Sequence, residues 1–174
     1  LSGKQELGQG IKIALIQIAA EELDISPDRC RIINSDTGQT ANEGFTAGSN
    51  SVEGSGKAIR NAAAEARLYL LKMAAKKWNT NPDELSVTDG TIKSPNGDEI
   101  SYWKLLEGKF IEGPVTGEAI PKNHQQYQYV GQSLHREDIR KLVKGDSHFI
   151  HDLRMPGMLH ARVLHPPSYS ARLE

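Results

Sequence analysis

The chain has 174 residues, of which 37% are hydrophobic and 25% are charged, so it is long enough for one domain or for one domain with a small second unit. Its formal net charge of -1 gives no support for a nucleic-acid partner, because phosphate binding needs an excess of lysine and arginine on one face. The longest apolar run, Ile11 to Ala20, contains Lys12 and Gln17 and is too short to cross a bilayer, so no transmembrane segment is predicted.

The first predicted element is a largely buried helix over residues 8 to 24. Its apolar side chains recur at helical spacing and cover most of the circumference, in two stripes formed by Ile11, Leu15 and Ile18 and by Ile13, Ile16, Ala20 and Leu23. The turn sequence Ser26-Pro27-Asp28 follows the helix. The acidic residues at its end, Glu21, Glu22 and Asp24, are interpreted as a solvated helix end rather than as an acid/base pair.

A strand is predicted next, from Cys30 to Asn34. Cys30 is the sole cysteine of the sequence, so the chain by itself supplies neither a disulfide nor a zinc or iron–sulfur site. We expect it to be a small buried residue rather than a reactive thiol. Residues 35 to 48 then form a polar, glycine-containing loop.

A long helix is predicted from Ser49 to Trp78, with four alanines between Ala62 and Ala66 that favour it strongly. Gly54 and Gly56 in its first turns weaken a helix and are tolerable where another backbone or a ligand packs closely.

Shorter elements follow. Leu85–Thr88 and Thr91–Lys93 are predicted strands joined through Asp89-Gly90, and residues 101 to 106 form a short helix. The turn Asn81-Pro82-Asp83 repeats the turn chemistry found after the first helix. The fold class is therefore α+β, with two long helices and short strands.

The last third of the chain has a different pattern. Residues 107–129 are rich in Gly, Pro and polar residues and are interpreted as a surface linker. A second unit is predicted over 130–174, with strands at Phe149-Ile150 and from Met158 to Leu164. The predicted organisation is thus 1–106, a linker, and 130–174.

Two helix starts carry residues that suit a ligand. Gly8-Gln9-Gly10 opens the first helix, and the segment from Thr46 to Ser51 opens the long helix. Free N–H groups at a helix start favour an anion, glycine permits close approach, and hydroxyl groups add hydrogen bonds. The alternative is that these residues are only turns and caps, since short glycine motifs are common.

The histidines do not form a convincing metal site. All six lie in the last third, and His148 and His151 would point to opposite faces of the predicted strand. No metal ligands are assigned.

Three segments together resemble the large, molybdopterin-binding subunit of the xanthine dehydrogenase and aldehyde oxidase family. The first is Glu6 to Gly10 with the helix that ends Ala20-Glu21-Glu22-Leu23, and the second joins Asn34-Ser35-Asp36-Thr37 to Thr46–Ser51. The third runs from Val130-Gly131-Gln132 through His151–Val163 to Pro166-Pro167, and it resembles the opening of the family's α/β hammerhead-like domain. The order of these segments is that of the bacterial branch that includes isoquinoline oxidoreductase and nicotinate dehydrogenase-like large subunits.

The resemblance implies a molybdenum hydroxylase that oxidises an aldehyde or an N-heterocycle with oxygen from water. It implies cofactor contacts by Gly8, Gln9, Gly10, Ala47, Gly48, Ser49 and Ser51. The cofactor would be molybdopterin with molybdenum, as the cytosine dinucleotide in the bacterial branch, with [2Fe-2S] clusters on a partner subunit. The family's catalytic glutamate and its Gly-Phe-rich molybdenum loop have no counterpart among these residues, so we expect a portion of a longer subunit, inactive alone.

Other interpretations stay open at this point. A non-catalytic α+β module that binds an anion or a protein partner through the same helix starts is the alternative. The bacterial branch has cytoplasmic and periplasmic members, so the location is left open. The sequence identifies neither the substrate nor the oligomeric state.

Overall fold

The computed structural model describes residues 1–146 and 149–172. Within them, the helices and strands follow the order α1 (Ile11–Leu23), α2 (Lys57–Trp78), β1 (Ser86–Thr88), β2 (Thr91–Lys93), β3 (Glu99–Ser101), α3 (Tyr102–Leu106) and α4 (Ile139–Lys144). Short 3-10 turns occur at Pro27–Arg29, Pro82–Glu84, His124–Gln126 and Ile150–Asp152, and Ser51–Gly56 is π-helical. Two compact units result, Leu1–Arg136 and Glu137–Glu174. The mixture of helices and strands agrees with the predicted α+β class.

The core of the first unit lies where α1 and α2 meet each other and the sheet. Helix α1 contacts α2 along its length. The core cluster combines residues from the two helices with residues from the strands, including Ala20, Leu70, Ala74, Ile92 and Ile100. Burying each large apolar side chain contributes about 1.5–3 kcal/mol, so this cluster is the main source of stability.

Both long helices were predicted, with small differences at their starts. Helix α1 begins at Ile11 because Gly10 has a φ of 80°, which is left-handed. The second helix opens with the π-helical segment and continues as α2 to Trp78. A side-chain carbon on Gly56 would lie 3.0 Å from Ile18 Cδ1, so the close neighbour expected at this glycine is helix α1.

The three strands form an antiparallel meander in the order β1-β2-β3. The hairpin at Asp89-Gly90 is confirmed, and both residues have the positive φ that a tight turn of this kind requires. Strand β3 was not predicted; it pairs Ile100 with Ile92, and Ser101 then caps α3. The turns after α1 and α2 also correspond, because Ser26 and Asn81 each accept a hydrogen bond from the amide two residues later.

The predicted strand from Cys30 to Asn34 is wrong. Among the described residues, this segment makes one parallel bridge, between Asn34 and Ser2. The pairing stops there because the next residues of the N-terminal segment turn to the loop near Glu43, to which Lys4 donates a hydrogen bond. Cys30 is half-buried, and burial raises the pKa of its thiol.

The second half of the predicted linker does not run freely over the surface. Residues 109 to 118 are exposed, but Pro121, Lys122, Tyr127 and Tyr129 are partly buried. Several backbone amides of this stretch donate hydrogen bonds to side chains of α1. We call residues 120–130 the docked segment.

In the second unit, the predicted strands are wrong. Ile150 lies in a 3-10 turn, and residues 158–164 have no regular structure. Leu159 and Leu164 are 92% and 93% exposed. A strand requires a hydrogen-bonded neighbour, and the described residues of this unit provide none. Helix α4 ends at Lys144, and the next residue, Gly145, has the left-handed φ usual after a helix.

A candidate ligand cleft at two helix starts

The two segments singled out in the sequence lie together and line one cleft of about 430 Å³. Five of the seven predicted site residues line it: Gln9, Gly10, Ala47, Ser49 and Ser51. The other two, Gly8 and Gly48, turn the chain beside it with φ values of 101° and 61°. The remaining lining residues are Leu7, Ile11, Ala14, Thr46 and Val52. Apolar surface and hydroxyl groups thus face the same space, which suits a flat ring with polar edges.

Hydrogen bonds from the N-terminal segment hold the second segment in place. The amide of Gln5 donates to Thr46 Oγ1 at 2.8 Å. Lys4, which is 1% exposed, donates from Nζ to the carbonyl oxygens of Glu43 and Phe45 at 2.7 and 3.0 Å. A buried ammonium group is tolerated only with such partners. The loop before Ser49 is therefore fixed to the strand-like segment that leads into Gly8.

Glu6 fills the start of α1. Its Oε1 accepts hydrogen bonds from the amides of Gly8 and Gly10 at 2.8 and 2.9 Å, and its Oε2 accepts one from Lys12 at 3.2 Å. Burial alone would raise the pKa of this carboxyl, but the three amides and the charge of Arg136 outweigh it and lower the pKa. The sequence predicted unpaired amides here. A carboxylate of the chain occupies part of this helix start, namely the amides of Gly10 and Lys12, together with the amide of Gly8 before it.

Gln9 closes the same turn with its side chain. Its Oε1 accepts a hydrogen bond from the Leu7 amide at 2.6 Å, and its Nε2 donates to the Gln5 carbonyl at 2.9 Å. The side-chain amide therefore fixes the conformation of the glycine turn. The turn presents a preformed surface to the cleft.

The second helix start has a different local structure. Gly48 and Ser49 both have positive φ, 61° and 58°, before the chain enters the π-helical segment at Ser51. A serine in this conformation is strained by about 1–3 kcal/mol, and residues of this kind are enriched at functional sites. Ser49 and Ser51 line the cleft, and a serine hydroxyl can donate a hydrogen bond to a ligand.

A second polar cluster lies at the other end of α1. Glu21 and Glu22 are 1% and 2% exposed. Glu21 Oε2 accepts hydrogen bonds from the amides of Gln128, Tyr129 and Val130, at 2.8, 2.7 and 3.0 Å. The interpretation of these acids as a solvated helix end is therefore wrong.

Cationic side chains complete this cluster. Arg60 donates to Glu22 at 2.9 Å, and Arg67 donates to Asp24 at 2.5 Å. Lys122 pairs with Asp24 and lies 3.5 Å from Glu21 Oε1. The three acids and three bases balance in charge. Lys122 belongs to the docked segment, so its contacts with the acids attach that segment to the end of α1. A signal was present in the sequence, since acids on a helix predicted to be buried all round must be paired.

The histidines and acids do not assemble a metal site in the part of the chain that the structure covers. Over residues 1–146 and 149–172, no three His, Cys, Asp or Glu side chains are placed to hold a metal ion. His151 lies in a 3-10 turn rather than a strand, and His148 lies outside the described residues.

Among the helices that the structure describes, none is both long and apolar enough to cross a membrane.

These features define a class: an α+β domain in which two loop-to-helix junctions line one cleft. Residues 1–137 match the family described as the molybdopterin cofactor-binding domain, and the chain belongs to that family. The prediction from the sequence motifs is therefore confirmed at the level of the family. Which residues contact a cofactor remains a prediction.

Individual relatives agree with this assignment. The chain is 39% identical over 166 residues to a subunit of the nicotinate dehydrogenase of Pseudomonas putida, in an alignment that covers 95% of this chain and 14% of that protein. It is 26% identical to the beta subunit of isoquinoline 1-oxidoreductase from Brevundimonas diminuta, over 91% of this chain and 25% of that protein. The chain thus spans a quarter or less of the length of these relatives.

A solved structure shows the same fold. The Cu,Mo-CO dehydrogenase superposes with a TM-score of 0.52 over 60% of this chain and 13% of its own, at 24% sequence identity.

Proposed function

We propose that the chain is part of the large subunit of a molybdenum hydroxylase, and that its task is to hold the molybdopterin cofactor. The observation that carries the proposal is the single cleft formed by Gln9-Gly10 and Ala47–Ser51 in a domain of the cofactor-binding family. The enzyme would oxidise an aldehyde or an N-heterocycle with oxygen derived from water. Nicotinate and isoquinoline, which give two relatives their names, are N-heterocycles.

The residues of the cleft fit a molybdopterin cofactor. The backbone of Gly8 and Gly10 has conformations that side chains rarely adopt, and no atom would crowd a carbon added at Gly8. This leaves the turn open to close approach by a ring. Ser49 and Ser51 would donate hydrogen bonds to polar atoms of the cofactor, and Ala47, Gly48 and Gln9 would shape the contact. When bound, the molybdenum centre supplies the electrophile and accepts two electrons.

The rest of the enzyme would lie elsewhere. The remainder of the large subunit would supply the catalytic glutamate that acts as the base, and a partner subunit would carry the [2Fe-2S] clusters. We propose the cytosine dinucleotide form of the cofactor. We also propose that residues 130–174 open the hammerhead-like unit, on the strength of the motif from His151 to Pro167.

Cofactor content of the complete large subunit, co-purified with its iron–sulfur subunit, tests the proposal. Molybdenum is measured by mass spectrometry and pterin by fluorescence after oxidation. Gly10→Val is expected to lower both by about tenfold or more, because a β-branched residue cannot keep a φ of 80° and the turn would move. The double variant S49A/S51A removes two hydroxyl donors and is expected to lower both by about tenfold.

Matched controls distinguish a loss of cofactor caused by changes in the cleft from a loss caused by general destabilisation of the fold. Gly97→Val places the same residue at a φ of 91° in a turn where a side-chain carbon would meet nothing within 4 Å, and Ser86→Ala removes an exposed hydroxyl from β1. Both controls are expected to retain the cofactor. A folded complete subunit without molybdenum and pterin would contradict the proposal and favour a non-catalytic module that binds an anion or a protein partner.

A further inference from the structure

The anion position at the start of α1 is occupied by the chain itself. The Glu6 carboxylate accepts hydrogen bonds from the amides of Gly8, Gly10 and Lys12, and amides at a helix start are among the groups that bind a phosphate. The side chain of Glu6 is only 10% exposed. A carboxylate that is largely buried and accepts three amides keeps its charge and its place.

Arg136 supports the carboxylate from the other side. Its Nη1 donates to the Gly8 carbonyl at 2.7 Å, and its Nη2 lies 3.8 Å from Glu6 Oε1. One guanidinium thus holds both the carboxylate and the glycine turn. The turn, the acid and the base form one preset unit at this end of the cleft.

The two ends of the cleft therefore differ in charge. At the Gly10 end, a phosphate would lie beside a carboxylate and would lose the amides that Glu6 occupies, and like charges repel strongly in a partly buried site. The residues that line the cleft itself carry no charged side chain, so the end at Ser49 and Ser51 presents hydroxyl groups without a competing acid.

We propose that Glu6 is a positioning residue: as a resident anion it excludes phosphate from the glycine turn and reserves that end of the cleft for an uncharged, hydrogen-bonding part of the cofactor. The inference deepens the proposed function and rests on it. Glu6 acts through the turn and through its charge, and it has no role in the reaction itself.

The test uses the complete large subunit with its iron–sulfur partner, produced without cofactor in a host that does not make molybdopterin. Inorganic phosphate is titrated into it by calorimetry. Glu6→Ala is expected to bind phosphate about tenfold more tightly than the unaltered protein, because the carboxylate no longer occupies three amides and its charge no longer repels phosphate. The gain is expected to be smaller in the double variant E6A/R136M, because the positive charge beside the glycine turn is removed as well. A residue with only a structural role would not produce a gain in affinity.

Glu6→Gln is the second variant, since its neutral side chain keeps an acceptor for the turn. It is expected to show a smaller gain in phosphate affinity than Glu6→Ala. If Glu6→Ala does not fold, the phosphate affinity of Glu6→Gln tests the role of Glu6. Glu84→Ala is the matched control. Glu84 also accepts hydrogen bonds at a short helical turn, from Thr80 and Asn81, but outside the cleft. Its removal is expected to leave phosphate affinity unchanged.

The outcomes are distinguishable. If the unaltered complex from a cofactor-producing host contains molybdenum and pterin, but folded E6A and E6Q bind phosphate no better than the unaltered protein, the role of Glu6 is overturned. If the unaltered complex contains neither molybdenum nor pterin, the proposed function itself fails. A phosphate gain in E6A, together with faster release of pterin from the loaded variant, supports the inference.

Discussion

The buried carboxylate of Glu21 should be one of the most sensitive positions for stability outside the apolar core. Its Oε2 accepts three backbone amides from the docked segment, and its Oε1 lies 3.5 Å from Lys122 Nζ. Glu21→Ala removes all of these contacts at once. It leaves three N–H groups without their acceptor, and it removes one of the two carboxylates near the Lys122 ammonium, which keeps its ion pair with Asp24.

The magnitude follows from the contacts. A hydrogen bond to a charged group contributes about 1.5–3 kcal/mol, and Glu21→Ala removes three of them while Lys122 keeps Asp24 as its partner. Gln128 is exposed, so water can replace part of the lost hydrogen bonding, and we expect a loss of about 2–4 kcal/mol in the free energy of unfolding. This corresponds to a fall in Tm of about 5–12 °C. Glu21→Gln keeps an acceptor oxygen and should lose about 1–2 kcal/mol.

The assay is urea unfolding of the chain, combined with hydrogen exchange of the peptide that contains residues 127 to 131. In E21A the amides of Gln128, Tyr129 and Val130 should exchange faster than in the unaltered chain. Glu112→Ala, at an exposed position, is the control and should change stability by less than about 0.5 kcal/mol. The reasoning is refuted if E21A loses no more stability than E112A and the three amides keep their protection.

Two further substitutions, at Gly90 and Tyr102, test the packing of the hairpin turn and of the first residue of α3. Gly90→Ala should destabilise the chain by about 2–3 kcal/mol, because the new carbon would lie 2.7 Å from the Trp103 ring at a φ of 73°. The control, Gly97→Ala, has open space around it and should lose only about 1 kcal/mol. Equal losses of the two variants in urea unfolding would contradict this prediction. Burial raises the pKa of Tyr102 far above its usual 10, so the folded state holds this proton longer than the unfolded state and stability should fall as the pH rises above 10. Tyr102→Phe removes that part of the alkaline loss, and because the Tyr102 hydroxyl is buried without a hydrogen-bond partner, it should change stability at pH 7 by less than about 1 kcal/mol in thermal unfolding.

The sequence predicted those parts of the fold that depend on local chemistry. The spacing of Ile11, Leu15 and Ile18 places α1, and the alanines near Ala64 place α2, since helix formation depends on residues three and four positions apart. The hairpin at Asp89-Gly90 is likewise a local signal. Strand Cys30–Asn34 failed because a strand depends on a neighbour that the local pattern does not contain.

The candidate site was predictable in part for the same reason. Glycines and hydroxyl residues before two helices pointed to Gly10 and Ser49, and the structure brings these two positions to one cleft. The pattern gave no sign that Glu6 would turn back onto the amides of its own helix. The partners of Glu21 lie more than 100 residues away in the chain, so no local pattern could assign them.

The width of the cleft depends on the packing of the two helices as well as on the two loops. One side of the cleft is the start of α1, and the other is the start of the helical stretch that continues as α2, and these helices pack on each other. Gly56 sets how closely they approach, since a side-chain carbon there would come within 3.0 Å of Ile18 and 3.4 Å of Val52, and Val52 itself lines the cleft. A larger residue at this position would have to push α1 away from the π-helical segment, because packed interiors accommodate extra volume by shifting whole elements. The glycine that is unfavourable for a helix by propensity therefore permits the close helix approach on one side of the cleft that Gly10 and Ser49 line.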